Sequence, residues 1–143
     1  YDNFIRICGD RPFLDYNIYD IMISTHLENK NDLTTNIFPR TVPPGLTGEV
    51  ISTKSLKNIY SMPLDKEDKE HVTRYYYKNP SQFSILNMDF AFSKENIVAR
   101  LVIDDKDDLR RCAWIDKQID INNLVNNSET VISLTKKWQK TTI

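Results

Sequence analysis

The sequence predicts an α/β domain built around a mixed sheet, and three observations carry this. Apolar runs of strand length alternate with longer segments of helical periodicity, joined by short connections. Residues 32–53 contain hairpin-like material that a plain doubly wound fold lacks. Two of the apolar runs each end in an aspartate, Asp10 and Asp104. In open α/β sheets the ligand crevice lies beyond the carboxyl ends of the strands.

The first run, Phe4 to Gly9, reads as a buried strand delivering Asp10. After the Arg11-Pro12 turn, Ile18, Ile21, Met22 and Thr25 recur at spacings of three and four, which predicts a helix over about 16–29. Asp32 to Ile37 reads as a short strand. Residues 38–48 hold three of the six prolines and two of the three glycines, so this loop has fixed bends. Glu49 to Ser52 is a further strand, with Ser52 or Thr53 capping a helix through about Tyr60.

Pro63 separates that helix from a single helix expected to take in Leu64 to Tyr77, charged first and aromatic later, and to end near Asn79-Pro80. Gln82 to Met88 alternates and predicts a strand, followed by the strand Ala99 to Ile103 that ends in Asp104. Residues 105–119 form a helical pattern with Leu109, Cys112, Ala113 and Ile119 on one face. A polar turn at 122–128 precedes a last helix carrying Val131, Ile132, Leu134 and Trp138. The 143 residues suffice for one domain, 1–143, with a real core.

Composition narrows the function classes. A net charge of -1 argues against a general nucleic-acid binder, which carries a basic surplus. No apolar stretch approaches the roughly 20 residues that span a bilayer, and no signal peptide is visible, so a cytoplasmic setting with no membrane partner is expected. Cys8 and Cys112 lack metal-ligand spacing, sit in core-like patterns and fit a reducing compartment.

Asp10 has two readings: a carboxylate projecting into the crevice, or a turn aspartate binding nearby amides ahead of Pro12. Asp104 competes with Asp105, Asp107 and Asp108 for a helix-start role, where acids cap free amides and complement the dipole. As the last residue of its run, it is the one aimed at the crevice. Together the two could seat one hard cation, since magnesium takes one or two carboxylates plus substrate phosphates. His26 reads as structural, and His71 has no neighbouring nucleophile pattern. Val72, Tyr75 and Tyr76 share a helical face that suits either a subunit contact or the domain's own core. The Tyr75-Tyr76-Tyr77 run, without a basic surplus, is no base-stacking platform.

Four segments resemble one family. IRICGDRPFLD (5–15) is similar to the IRxTGDxPxxD strand of the sugar cytidylyltransferases, which include synthetases of CMP-activated nonulosonic acids and spore-coat polysaccharide proteins. FPRTVPPGLTGEVIST (38–53) resembles their Pro-x-Gly-x-x-x-Glu loop and strand. KEHVTRYYYKNPSQFSI (69–85) resembles an Arg-Glu-His-Val-Thr segment, and RLVIDDKDDL (100–109) an Arg-Leu-x-x-Asp-x-x-x-Asp-Leu segment.

The resemblance implies a Rossmann-like nucleotidyltransferase fold of the glycosyltransferase-A type, in which a sugar hydroxyl attacks the α-phosphate of CTP and expels pyrophosphate. It implies that Asp10 and Asp104 are catalytic and hold Mg2+, that Pro44, Gly45 and Glu49 border the sugar acid, and that Glu70, His71 and Thr73 lie near the sugar or a homodimer contact. The implied product is a CMP-sugar for surface glycans. The family's N-terminal strand and its Arg/Lys-bearing phosphate loop have no counterpart here, so the chain is expected to be the C-terminal part of such a domain, inactive alone. Arg11 stands where the family often has Cys, Thr47 where it often has Asp, and Lys69 where it has Arg. Two other readings compete. One is a non-catalytic remnant serving as a binding or dimerising module. The other is a metal-dependent glycosyltransferase, whose Asp-x-Asp signature is not evident.

Overall fold

The computed structural model describes residues 1–119 and 128–141. Among them lie four strands, β1 (Asn3–Arg6), β2 (Leu33–Thr35), β3 (Glu49–Ser52) and β4 (Ile85–Asn87). The helices are α1 (Tyr16–Asn29), α2 (Thr53–Tyr60), α3 (Lys66–Glu70), α4 (Arg74–Lys78), α5 (Lys94–Ile97), α6 (Lys106–Asp116) and α7 (Ser128–Thr141). The polar turn expected at 122–128 lies, all but its last residue, outside the described residues.

The sheet runs β1-β3-β2-β4, with β3 antiparallel to both its neighbours and β2 parallel to β4. It is mixed, as the pattern predicts. Alternation along β3 builds two cores. Val50 faces Ile18, Met22, Leu101, Ile115 and Ile132 on the α1, α6 and α7 side. Ile51 faces Leu33, Ile59 and Tyr76 on the α2 and α4 side. Burying each such side chain contributes roughly 1.5–3 kcal/mol. No helix among the described residues is long and apolar enough to cross a membrane.

Caps decide where two helices begin. The Asp15 carboxylate accepts from the Asn17 amide, 3.1 Å, and starts α1. Ser52 Oγ accepts from the Ser55 amide, 3.3 Å, and starts α2. On α1 the buried residues are Ile18, Tyr19, Met22 and His26, while Ile21 is exposed, so the face is turned from the expected one. His26 is structural as read: it is buried and hydrogen-bonds Thr34 at 2.9 Å and Asn3 at 3.1 Å.

Several expectations need correction. The first strand stops at Arg6, opposite Glu49, where β3 begins, so Asp10 follows a short turn instead of ending a strand. The run 99–103 is no strand. Its apolar residues Ala99 and Leu101 enter the core, but its backbone makes single bonds to loops in place of a ladder: Leu101 N to Pro44 O, 2.8 Å, and Ile103 N to Asp10 O, 3.0 Å. On α6, Leu109 and Ala113 are exposed and Asp108, Arg111, Cys112 and Ile115 are buried. Cys112 is a core residue, whereas Cys8 is half-buried.

The helix expected over 64–77 is two helices, broken at His71, whose backbone is extended. Charge joins the halves: Arg74 and Lys78 of α4 both reach Asp65 and the buried Asp68. Tyr76 is fully buried and meets Phe83 edge-on with ring centroids 4.7 Å apart. Val72 and Tyr75 pack against the same cluster. This apolar face belongs to the domain's own core.

Candidate active site

The site forms where three loops meet beside the sheet. The turn after β1 carries Asp10 and Arg11, the loop before β3 carries residues 36–48, and the extended run 99–103 leads to Asp104. The Ile103–Asp10 backbone bond brings the two aspartate-bearing segments side by side. The Leu101–Pro44 bond joins the proline-rich loop to the same run. Gly45 is needed here. Its φ is +109°, and an added Cβ would overlap the Leu101 carbonyl.

Asp10 is half-buried, and its Oδ1 is shut off from solvent without a hydrogen-bond donor. The nearest cation, Arg11 Nε, is 3.9 Å away, while Arg11 gives another nitrogen to the Thr47 carbonyl. Tyr19 lies beneath. Burial pushes its hydroxyl up to about 12, against the opposing charge of Arg11, and the buried oxygen has no partner. Asp104 is exposed, with Oδ2 2.5 Å from Arg100 Nη2.

Behind Asp104 stands Asp108. Its carboxylate accepts from the Asp104 amide at 3.0 Å, from Arg111 at 2.6 Å and from Arg100 at 3.2 and 3.3 Å. Burial by itself would raise this carboxyl, but the amide and the two guanidiniums outweigh it and pull it down to about 2. Asp105 caps α6, accepting from the Asp107 and Asp108 amides at 2.9 and 2.8 Å. The helix-start reading therefore fits Asp105 as the cap and Asp107 and Asp108 in the first turn of α6, and Asp108 also anchors the turn that presents Asp104.

Glu49 is buried at the start of β3. It accepts from Arg6 at 2.7 Å and from the Tyr77 hydroxyl at 2.5 Å, and that hydroxyl lies 3.0 Å from Thr35. Burial first, then the Glu49 charge, drive the Tyr77 hydroxyl far above its ordinary range. Glu70 and His71 are exposed at the α3–α4 break, and Thr73 is buried there. Among the described residues no hydrogen bond or ion pair ties these three to the Asp10–Asp104 group.

The structure thus joins Asp10, Asp104, Pro44 and Gly45 in one backbone network, holds Glu49 in a second, and leaves Glu70, His71 and Thr73 apart. Sequence reasoning passed over Asp108, Arg6 and Tyr77. A signal existed for the first: Arg100, Asp104 and Asp108 recur every four residues. Among the described residues no cluster of three or more His, Cys, Asp or Glu is placed to hold a metal ion. Two carboxylates, one with a bare buried oxygen, still suit magnesium when phosphates complete the shell.

A cytidylyltransferase family model matches residues 2–135. The spore coat polysaccharide biosynthesis protein SpsF of Bacillus subtilis is 33% identical over 108 residues, covering 73% of this chain and 42% of that protein. An uncharacterized protein of Methanocaldococcus jannaschii is 27% identical over 123 residues, 86% of this chain and 49% of that protein. The chain therefore spans about half the length of the curated relatives it matches. A solved structure of a cytidylyltransferase from Leptospira borgpetersenii superposes with a TM-score of 0.84 over 97% of this chain and 58% of that one, at 23% identity. That likeness establishes the fold.

Proposed function

The chain belongs to the cytidylyltransferase family, and from that premise we propose that it carries the metal-binding and acceptor side of an enzyme joining CMP to a sugar acid with release of pyrophosphate. The observation that supports this reading most is the backbone bond from Ile103 to Asp10, which sets the Asp10 and Asp104 segments next to each other. The name of the Bacillus relative supports a role in surface-glycan assembly.

Asp10 and Asp104 would hold Mg2+, whose bound charge would offset that of the triphosphate. The rest is done by the protein. Asp108 fixes the backbone of Asp104, and Arg100 restrains its carboxylate. The Pro44-Gly45 bend, locked on Leu101, forms a rigid wall for the acceptor. Glu49 accepts from Arg6 and Tyr77 and so keeps a defined orientation. Positioning of this kind is most of what a phosphoryl-type transfer asks of a protein. A homodimer enters the reading only through the resemblance, since the α4 aromatic face is occupied by its own core.

The test uses protein expressed from the complete reading frame, incubated with CTP, Mg2+ and a panel of acidic nonulosonic sugars. Pyrophosphate release that needs both CTP and an acidic sugar, and that stops with EDTA, is the expected outcome. Release favouring another nucleotide, or none with any acidic sugar, would contradict the proposal.

A further inference from the structure

The three strands that run in one direction, β1, β2 and β4, end side by side at Arg6, Thr35 and Asn87, and β3 starts among them at Glu49. These four residues are in register: Arg6 pairs with Glu49, Glu49 with Thr35, and Thr35 with Asn87. Residues in register on neighbouring strands put their side chains on the same face. A polar row therefore crosses the whole sheet at its carboxyl end, where α/β folds place their ligands. Ile51, two residues on from Glu49, lies in the α2 and α4 core, so the row forms the rim of that core.

Hydrogen bonds give the row a direction. The Tyr77 hydroxyl donates to Glu49 Oε1 at 2.5 Å, which uses its single proton. The Thr35 hydroxyl, 3.0 Å away, is then the donor to Tyr77. Arg6 donates through Nη1 to the other oxygen, Glu49 Oε2, at 2.7 Å. Each oxygen of Glu49 thus has its partner, and the residue is 3% exposed. The middle of the row is closed to a ligand. Thr35 is fully buried, and the Phe38 ring lies 4.9 Å from that of Tyr77. The β1 end is open, with 33% of the Arg6 side chain exposed.

That open end adjoins the Asp10 turn. Asp10 follows Arg6 by four residues, and Arg11 donates to the carbonyl of Thr47, two residues before Glu49. A guanidinium held on one nitrogen by a buried carboxylate keeps its remaining N–H groups in a fixed plane. Such a planar fork matches the two oxygens of a carboxylate. Tyr77 strengthens the arrangement, because its hydrogen bond fixes Glu49 and takes up part of the charge that Arg6 would otherwise offset alone.

We propose that Arg6 receives the carboxylate of the acidic acceptor, and that Glu49 and Tyr77 are positioning residues that aim it without touching the substrate. This rests on the functional reading above and deepens it. The resemblance sets Glu49 beside the sugar, whereas the hydrogen bonds leave Arg6 as the group of this row that a substrate can reach.

The experiment is calorimetric titration of protein from the complete reading frame with N-acetylneuraminate and with its methyl ester, which keeps the ring and hydroxyls but not the charge. The wild type is expected to bind the acid about tenfold or more tighter than the ester. Arg6→Gln, which can still donate to Glu49, is expected to bind the two alike, and Arg6→Lys to regain part of the preference. Tyr77→Phe keeps the ring against Phe38 but loses the hydroxyl, and its preference should fall between those of the wild type and Arg6→Gln. Arg110→Ala should match the wild type, and circular dichroism checks folding throughout. Damage that is only structural would weaken acid and ester together and leave their ratio unchanged. Equal binding of acid and ester by the wild type, binding of neither, or a full preference in folded Arg6→Gln would overturn the assignment. A full preference in folded Tyr77→Phe would overturn the positioning role, and that ratio decides if Arg6→Gln does not fold. The two proposals fail separately. An Arg6-dependent preference for the acid without cytidylyl transfer would overturn only the function, and transfer with the preference intact in Arg6→Gln only the assignment of Arg6.

Discussion

Asp108→Ala is expected to cost about 3–5 kcal/mol of stability in urea unfolding, as when one partner of a buried ion pair is removed. The carboxylate lost is 4% exposed and is shared by Arg100, Arg111 and the Asp104 amide. Arg111, itself 7% exposed, would keep only the Val102 carbonyl at 2.9 Å. Asp108→Asn retains an oxygen for the Asp104 amide and should fall between the two. The same carboxyl sets an acid limb. Its folded value of about 2 lies below the ordinary 3.8, so its stabilisation is complete above about pH 4 and is lost as pH falls towards 2. The limb should be shallower in Asp108→Asn. A loss under 1 kcal/mol for the alanine variant would show that Asp108 does not anchor the turn.

Gly45→Ala is expected to cost about 2–4 kcal/mol. Two causes combine: a φ of +109°, which side chains rarely adopt, and a Cβ driven into the Leu101 backbone. That backbone is not free to withdraw, because its own amide is bound to Pro44. Relaxation would push the 99–103 run outward and carry Asp104 with it. Gly9→Ala is the control, since a Cβ there meets nothing within 4 Å, and it should stay within about 0.5 kcal/mol of wild type. Equal unfolding midpoints for the two variants would remove the clamp from the account.

These expectations could be drawn only in part from the sequence, and the reason differs by residue. The α1 range was legible from its apolar spacing, and the start of α2 because Ser52 acts locally, through a cap that needs nothing distant. The β3 strand was legible because Val50 and Ile51 alternate between two cores. Burial of Ala99 and Leu101 was equally plain, yet an apolar run says only that it is buried. Whether it pairs in a ladder or lies against loops depends on Pro44 and Asp10, which are distant in sequence. Tyr75 and Tyr76 pose the same ambiguity, since core and interface share one spacing, and the cluster with Ile51 and Ile59 decides it. In the site, Asp10 and Asp104 stood out by position. Asp108 was masked by its place among helix-start acids.

The central claim is that Asp10 and Asp104 seat the cation on which cytidylyl transfer depends. Pyrophosphate release from CTP and an acidic sugar tests it most directly, with protein from the complete reading frame and its Asp10→Asn and Asp104→Asn variants titrated with Mg2+. Loss of preorganised charge stabilisation of this kind typically slows turnover by about 100-fold or more. The account predicts such a loss in both variants, with folding retained and more Mg2+ needed for half-maximal rate. Wild-type rates and an unchanged Mg2+ requirement in either folded variant would contradict it.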